Sequence, residues 1–242
     1  MANYNIGAST WGESLSADTP ASSITITGDR VTFRVERGDP ATAETFRSEF
    51  LGKDLGLTQD MATDVEYLVR FTLNVPPTFV PDSTDEIIWQ LHHVPDPEEE
   101  GMANQPPLAV RLKGRRLRFT HWYSTAPISY AGAGNNQVKA SSGYFGYIQG
   151  GEDYAIDLRF MLTKGDLGVG YFYFYFDNLL RYAYQGPLGY EDIVGHYMKF
   201  GIYKANWRPG KPVTDTTVRE LGYTGMSVIR ADYPFGEVAT IP

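Results

Sequence analysis

The chain of 242 residues contains no cysteine. Disulfide frameworks, zinc–thiolate centres and thiol nucleophiles are therefore excluded, while the redox compartment stays open. Basic charge is also scarce: 21 Lys and Arg stand against 29 Asp and Glu, a formal net charge of −8. A general nucleic-acid binder carries the opposite balance, whereas an anionic ligand held in a locally basic groove is compatible with it. No run of about 18 apolar residues occurs, so no transmembrane helix is expected. Residues 1–10 lack the basic stretch and apolar core of a secretory signal. There is no N-glycosylation sequon, lipidation motif, glycine-rich phosphate loop or Ser–His–Asp order. Helical periodicity is weak throughout; 58–67 and 190–195 are the two places where a turn or short helix is expected.

What is abundant is aromatic. Aromatic residues make up 14% of the chain, with 17 tyrosines and 13 phenylalanines, and such residues favour a pleated, half-buried surface. The pattern Ile24-Thr25-Ile26-Thr27, Gly28-Asp29, Val31-Thr32-Phe33-Arg34-Val35 reads as a hairpin. Alternating or apolar runs follow at 65–73, 86–93, 108–112, 117–122, 154–162, 169–176, 197–203, 217–221 and 227–231. Many strands without βαβ alternation predict an all-β, antiparallel sandwich or jelly roll. Residues 1–242 are expected to form one domain, a length that suits a single all-β unit and a core independent of disulfide or metal. Two long loops, 94–107 and 125–142, are candidate lids over a cleft or plain solvated connections.

Three segments invite a face-by-face reading, since residues i and i+2 of a strand share a face. Arg47 and Glu49 share one face, opposite Phe46, Ser48 and Phe50. Gln90 and His92 share another, opposite Trp89 and Leu91. In 197–203, Met198, Phe200 and Ile202 form a core row, and Tyr197, Lys199, Gly201 and Tyr203 a polar row facing out. Each segment has an ordinary structural reading as an ion pair, a satisfied polar pair or an amphipathic strand. Together they supply cations and an amide for a carboxylate, and a His and tyrosines for proton transfer.

Arg47-Ser48-Glu49-Phe50, Gln90-Leu91-His92 and 197-YMKFGIY-203 resemble the three signature segments of the family 7 alginate lyases. Those are usually written R-S/T-E-L-R, Q-I/V-H and Y-F-K-A-G-I/V-Y-N-Q. The chain is also similar to the family 20 glucuronan lyases, which its length and the segment 106-PPLAVR-111 suit. The resemblance implies a concanavalin A-like jelly roll with a concave substrate groove. It also implies cleavage of a 1,4-linked polyuronate by β-elimination. Arg47 and Gln90 would neutralise or hydrogen-bond the uronate carboxylate, His92 would act as base or orient it, and Tyr197 would be the acid or both acid and base. Glu49, Lys199 and Tyr203 would bind substrate. Leu51, Phe200 and Lys204-Ala205 depart from the alginate lyase pattern and put alginate itself in question as substrate. A cation such as Lys199 or Arg47 is expected to lower the phenol pKa of Tyr197.

Arg159, and Tyr173 from the alternating run Tyr171–Phe176, are further candidates for substrate binding, the tyrosines by flooring the cleft and the Phe row by packing between sheets. The basic run from Lys113 to Arg118 lines a groove for a polyanion or is a solvated hairpin. His93 reads as structural or loop-capping and His196 as structural, while His121, beside Trp122 on the strand after that basic run, is a weaker candidate. No metal-ligand spacing is evident and no cofactor is required, although a structural calcium, as in some relatives, stays open. The expected partner is an anionic polysaccharide, not nucleic acid or membrane, bound by a monomer that is extracellular or phage-associated. A non-catalytic carbohydrate-binding sandwich and a glycoside hydrolase are the rival readings; the latter needs two flanking carboxylates, and no such pair stands out.

Overall fold

The computed structural model describes residues 3–6, 9–15, 23–37, 46–51, 61–93, 105–125, 137–164, 168–191, 195–207, 211 and 214–231. These form two antiparallel sheets, with strands numbered in chain order. One sheet has eight strands in the spatial order β1 (Asn3–Ile6), β2 (Ser9–Leu15), β5 (Phe46–Leu51), β14 (Tyr197–Lys204), β7 (Asp82–His92), β8 (Leu108–Gly114), β9 (Arg116–Ser124) and β10 (Gln137–Tyr147). The other has seven: β13 (Leu179–Gly186), β12 (Gly170–Phe176), β11 (Asp153–Met161), β6 (Glu66–Asn74), β15 (Val218–Ala231), β4 (Arg30–Glu36) and β3 (Ile24–Thr27). Among the described residues there is no α-helix, only short 3₁₀ turns such as Ala205–Trp207. The result is the antiparallel β-sandwich of the jelly-roll type that the alternation predicts.

The period-2 pattern sets which side chains enter the core. Phe172, Phe174 and Phe176 of β12 and Ile156, Leu158 and Phe160 of β11 point inward. They meet Trp89, Leu91, Met198, Phe200 and Ile202 from the other sheet. Phe71 and Phe200 meet edge-on with centroids 5.3 Å apart, and Phe33 meets Phe50 at 5.0 Å. Each such ring removed from water contributes about 1.5–3 kcal/mol.

A buried ionic cluster also crosses between the sheets. Lys204 Nζ lies 2.8 Å from Asp82 and 3.1 Å from Glu86, and Arg219 of β15 contacts Glu86 at 2.8 Å. All four side chains are essentially without solvent exposure. Removing one partner would strand a buried charge at a cost of about 3–5 kcal/mol.

Several expectations change here. The hairpin at Gly28-Asp29 is present. The two runs 217–221 and 227–231 are one strand, β15, kept continuous by a register shift between Thr224 and Ser227. Residues 137–142, expected in a loop, belong to β10; the segment Gln-Val-Lys-Ala-Ser-Ser shows no clean alternation, and its strand's register with β9 is itself interrupted twice. Residues 126–136 and 94–104 of the expected loops lie outside the described residues. The described part of 58–67 is a turn leading into β6, and 190, 191 and 195 are not helical.

β14 is the strand that positions the site, and its centre is Gly201 at φ +132°. A Cβ there would sit 2.2 Å from the Ser48 carbonyl oxygen and 2.7 Å from Glu49 Cα. Only glycine allows this close approach to β5. Gly201→Ala is therefore expected to destabilise the fold by about 3 kcal/mol, read by urea denaturation; a midpoint equal to the unaltered protein's would contradict the close approach.

Candidate active site

Strands β5, β14 and β7 lie side by side, and their register assembles the three sequence segments. Tyr203 pairs with Arg47, Gly201 with Glu49, Lys199 with Gln90 and Tyr197 with His92. Paired residues share a face, so the side chains that the segments keep out of the core meet on the sheet's other face. There they surround an open cleft of ≈ 260 Å³ lined by Arg47, Gln90, His92, Arg111, Lys199 and Tyr203, among others.

The cleft floor is more buried than an outward-facing polar row would be. Glu49, Gln90 and Lys199 are 2%, 4% and 4% exposed. Gln90 Nε2 donates to Glu49 Oε1 at 2.7 Å, while the Arg47 guanidinium lies 4.0 Å from Glu49 Oε2. This fixes the amide of Gln90 and offsets one of the cations. Burial pushes the Lys199 ammonium below the usual lysine range; Glu49 opposes that shift and Arg47 adds to it. Arg47 also stacks over Tyr203, 4.8 Å from the ring centroid.

His92 sits against Tyr197, with ring centroids 5.1 Å apart. Its pKa is pushed down to about 3, first by burial and then by Lys199; His93 and Arg47 push the same way, and the hydrogen bond to the His93 backbone opposes them. The imidazole is therefore neutral at neutral pH. Its Nδ1 lies 2.7 Å from the His93 carbonyl oxygen. A carbonyl only accepts, so Nδ1 carries the proton and Nε2 presents a bare lone pair.

Tyr197 departs from expectation. Its phenol is pushed up to about 12 by burial and by Glu49, with only Arg47 opposing. Lys199 Nζ lies over the ring, 5.5 Å from its centroid, so its charge faces the π system. Tyr197 does not appear in the cleft lining, whereas Tyr203 does.

Arg159 and Tyr173 are not brought to this site. They lie on β11 and β12 of the seven-stranded sheet, on the face away from the core. Arg159 is paired with the buried Glu66 and lies 5.8 Å from the Tyr173 ring centroid. The Phe row does pack between the sheets, which leaves the Tyr row on the far surface rather than on the cleft floor. His121 and His196 are buried, and both are pushed to low pKa by desolvation, in keeping with structural roles.

Sequence reasoning missed Arg111 as a site residue. It alternates with the core residues Val110 and Leu112, and that period was the available signal. It lines the cleft and is held by Asp85 at 3.6 Å and by a hydrogen bond to Thr120 Oγ1 at 3.1 Å.

A two-sheet jelly roll with a cationic, histidine-bearing cleft across one sheet defines a class of carbohydrate-active β-sandwich. The chain belongs to the polysaccharide lyase family, whose sequence profile matches residues 7–225, and it is a polysaccharide lyase. The fold is similar to that of the endo-β-1,4-glucuronan lyase of the fungus Trichoderma reesei, with 13% identity and a TM-score of 0.68 over 94% of this chain and 89% of that one. It is also similar to the family 7 alginate lyase of Zobellia galactanivorans, with 14% identity and a TM-score of 0.60 over 91% and 95%. A family 7 alginate lyase solved with substrate, carrying a His→Asn and a Tyr→Phe substitution, matches with 14% identity and a TM-score of 0.59 over 93% and 94%. No curated protein sequence matches the chain.

The tautomer and charge of His92 are directly measurable. Nitrogen NMR of the labelled imidazole should show a neutral ring protonated at Nδ1 throughout pH 5–8; a titration centred near the ordinary 6.5 would contradict the buried, cation-flanked site.

Proposed function

We propose that the enzyme cleaves a 1,4-linked polyuronate by β-elimination, with a glucuronan-type chain favoured over alginate. The observation that carries this reading is one cleft in which Arg47, Lys199, Arg111 and Gln90 surround a neutral imidazole with a free Nε2 and a cleft-facing phenol. The proton at C5 of a uronate is adjacent to a carboxylate and is not acidic. Cations and an amide donor around that carboxylate let negative charge spread into it as the C5–H bond breaks. His92 Nε2 takes the C5 proton, the released pair forms C4=C5, and the C4–O4 bond breaks. The bound uronate's own charge raises the basicity of the imidazole.

The leaving O4 needs a proton. Tyr203, in the cleft beside Arg47, is assigned as the donor in place of Tyr197. Tyr197 packs on His92 and holds its ring in place. Three cations do the neutralising, so the reaction as proposed requires no metal. The Trichoderma reesei relative is described as acting on glucuronan and the family 7 relatives as alginate lyases. The substrate-bound relative carries changes at one His and one Tyr, the pair of residue types used here. Leu51 and Lys204 stand where alginate lyases have other residues; Lys204 is buried in the ionic cluster and unavailable to substrate. The proposal takes residues 1–242 as one domain working outside the cell or on a phage particle.

Hydrolysis is disfavoured by the state of the cleft's acids. Glu49 is buried against Gln90, and Asp85 is engaged by Arg111 and Arg118, so among the described residues no free carboxylate pair flanks a glycosidic bond.

Incubation with glucuronan and alginate should generate ultraviolet absorbance from the C4=C5 bond. Reducing ends without that absorbance would overturn elimination, and no depolymerisation would favour a binding module. His92→Ala and Tyr203→Phe should each lower kcat by about 100-fold to 10,000-fold, and Tyr197→Phe far less. The reverse ranking of the two tyrosines would return the acid role to Tyr197.

A further inference from the structure

The basic run from Lys113 to Arg118 is not used by the chemistry above, yet the sheet register leads to it directly. Arg47 on β5 pairs with Tyr203 on β14, which pairs with Ile87 on β7. Ile87 pairs with Arg111 on β8, Arg111 with Arg118 on β9, and Arg118 with Tyr144 on β10. These residues form one transverse row on the cleft side of the sheet. Five strand steps of about 4.8 Å make the row about 24 Å long. That strand spacing is close to the advance of one sugar in a 1,4-linked chain.

The row does not end in plain surface. Tyr144 also lines a second depression of ≈ 370 Å³ at the edge of the sheet, with Arg116, Tyr147 and Arg181. Tyr144 and Tyr147 are each 55% exposed, among the few large hydrophobic side chains so presented in the described residues. Arg116 and Arg118 lie 5.3 and 6.0 Å from the Tyr144 ring centroid. Among the described residues no acid lines this depression. Along the row, Asp85 bridges Arg111 at 3.6 Å and Arg118 at 3.2 Å, which holds two like charges side by side facing the cleft.

We propose that Arg116, Tyr144, Tyr147 and Arg181 form a remote subsite for a uronate sugar of the same polysaccharide chain, reached from the cleavage point along Arg111 and Arg118. A uronate offers an apolar C–H face and a carboxylate on each sugar. The depression offers what complements them, exposed phenol rings and guanidinium groups. In a chain with a net charge of −8, this local cationic track also sets the direction in which a polyanion lies. The proposal rests on the polyuronate reading above and adds length dependence to it.

The test uses Arg116→Ala, Tyr147→Ala and Arg181→Ala, none of which touches the core. Each is compared with the unaltered enzyme on polymeric glucuronan and alginate, and on the shortest oligouronates that are cleaved. KM for the polymer should rise about tenfold, equivalent to about 1.4 kcal/mol, with the change in KM rather than kcat. The polymer's advantage over the short oligomer should shrink, and Arg181→Lys should restore most of it. An unchanged polymer-to-oligomer ratio overturns the subsite, as does an equal loss on both. An unaltered enzyme that yields no unsaturated product contradicts the lyase mechanism instead. Retardation of the protein in gels containing the polymer then reads the subsite without turnover: weaker retention of the variants supports it, and equal retention overturns it.

Discussion

The close approach of β14 to β5 at Gly201 is the constraint on which the site depends. No side chain other than hydrogen fits between Gly201 and the Ser48 backbone, so the glycine sets both the spacing and the register of the pair. From that register follow Tyr203 beside Arg47 and, through the pairing with β7, Lys199 beside Gln90 and Tyr197 beside His92. Because strand side chains alternate, a slip of one residue would send the cations into the core and Phe200 into the cleft. The apolar row Met198, Phe200 and Ile202, fully buried against the opposite sheet, opposes that slip. Packing energy in the core thus holds the geometry of the cleft.

The electrostatics of the cleft come from burial as much as from charge count. A surface with an excess of acids carries a pocket with Arg47, Lys199 and Arg111, whose nearby acids are individually engaged. Glu49 accepts from Gln90, and Asp85 bridges two arginines. The same burial keeps His92 neutral and Tyr197 protonated. On the proposed reading, a uronate entering the pocket would meet cations that have already lost much of their water, which would strengthen the recognition of its carboxylate.

Much of this was legible in the chain. Strict alternation in 197–203 and 171–176 identified the core rows, because a pleated strand shows its period directly. The three short segments named the residues that meet in the cleft, since their spacing put each on a common strand face. What was not legible depends on pairing across the sheets. Nothing local to Arg159 or Tyr173 says that β11 and β12 belong to the sheet opposite the cleft. Nothing local to Tyr197 says that its half-buried phenol feels Glu49 across the strands, or that desolvation there outweighs Arg47. Arg111 was hidden for the converse reason: an ordinary arginine in an alternating strand becomes a cleft residue only through the pairing of β8 with β7.

The most direct test is a crystal structure of the His92→Asn variant with a bound glucuronan tetramer. The account predicts one uronate carboxylate against Arg47, Gln90 and Lys199, its C5–H directed at the position of the missing imidazole, and the bridging O4 within hydrogen-bonding distance of the Tyr203 hydroxyl. A tetramer bound with its carboxylates turned away from Arg47, or seated on the outer face of the seven-stranded sheet near Arg159 and Tyr173, would contradict it.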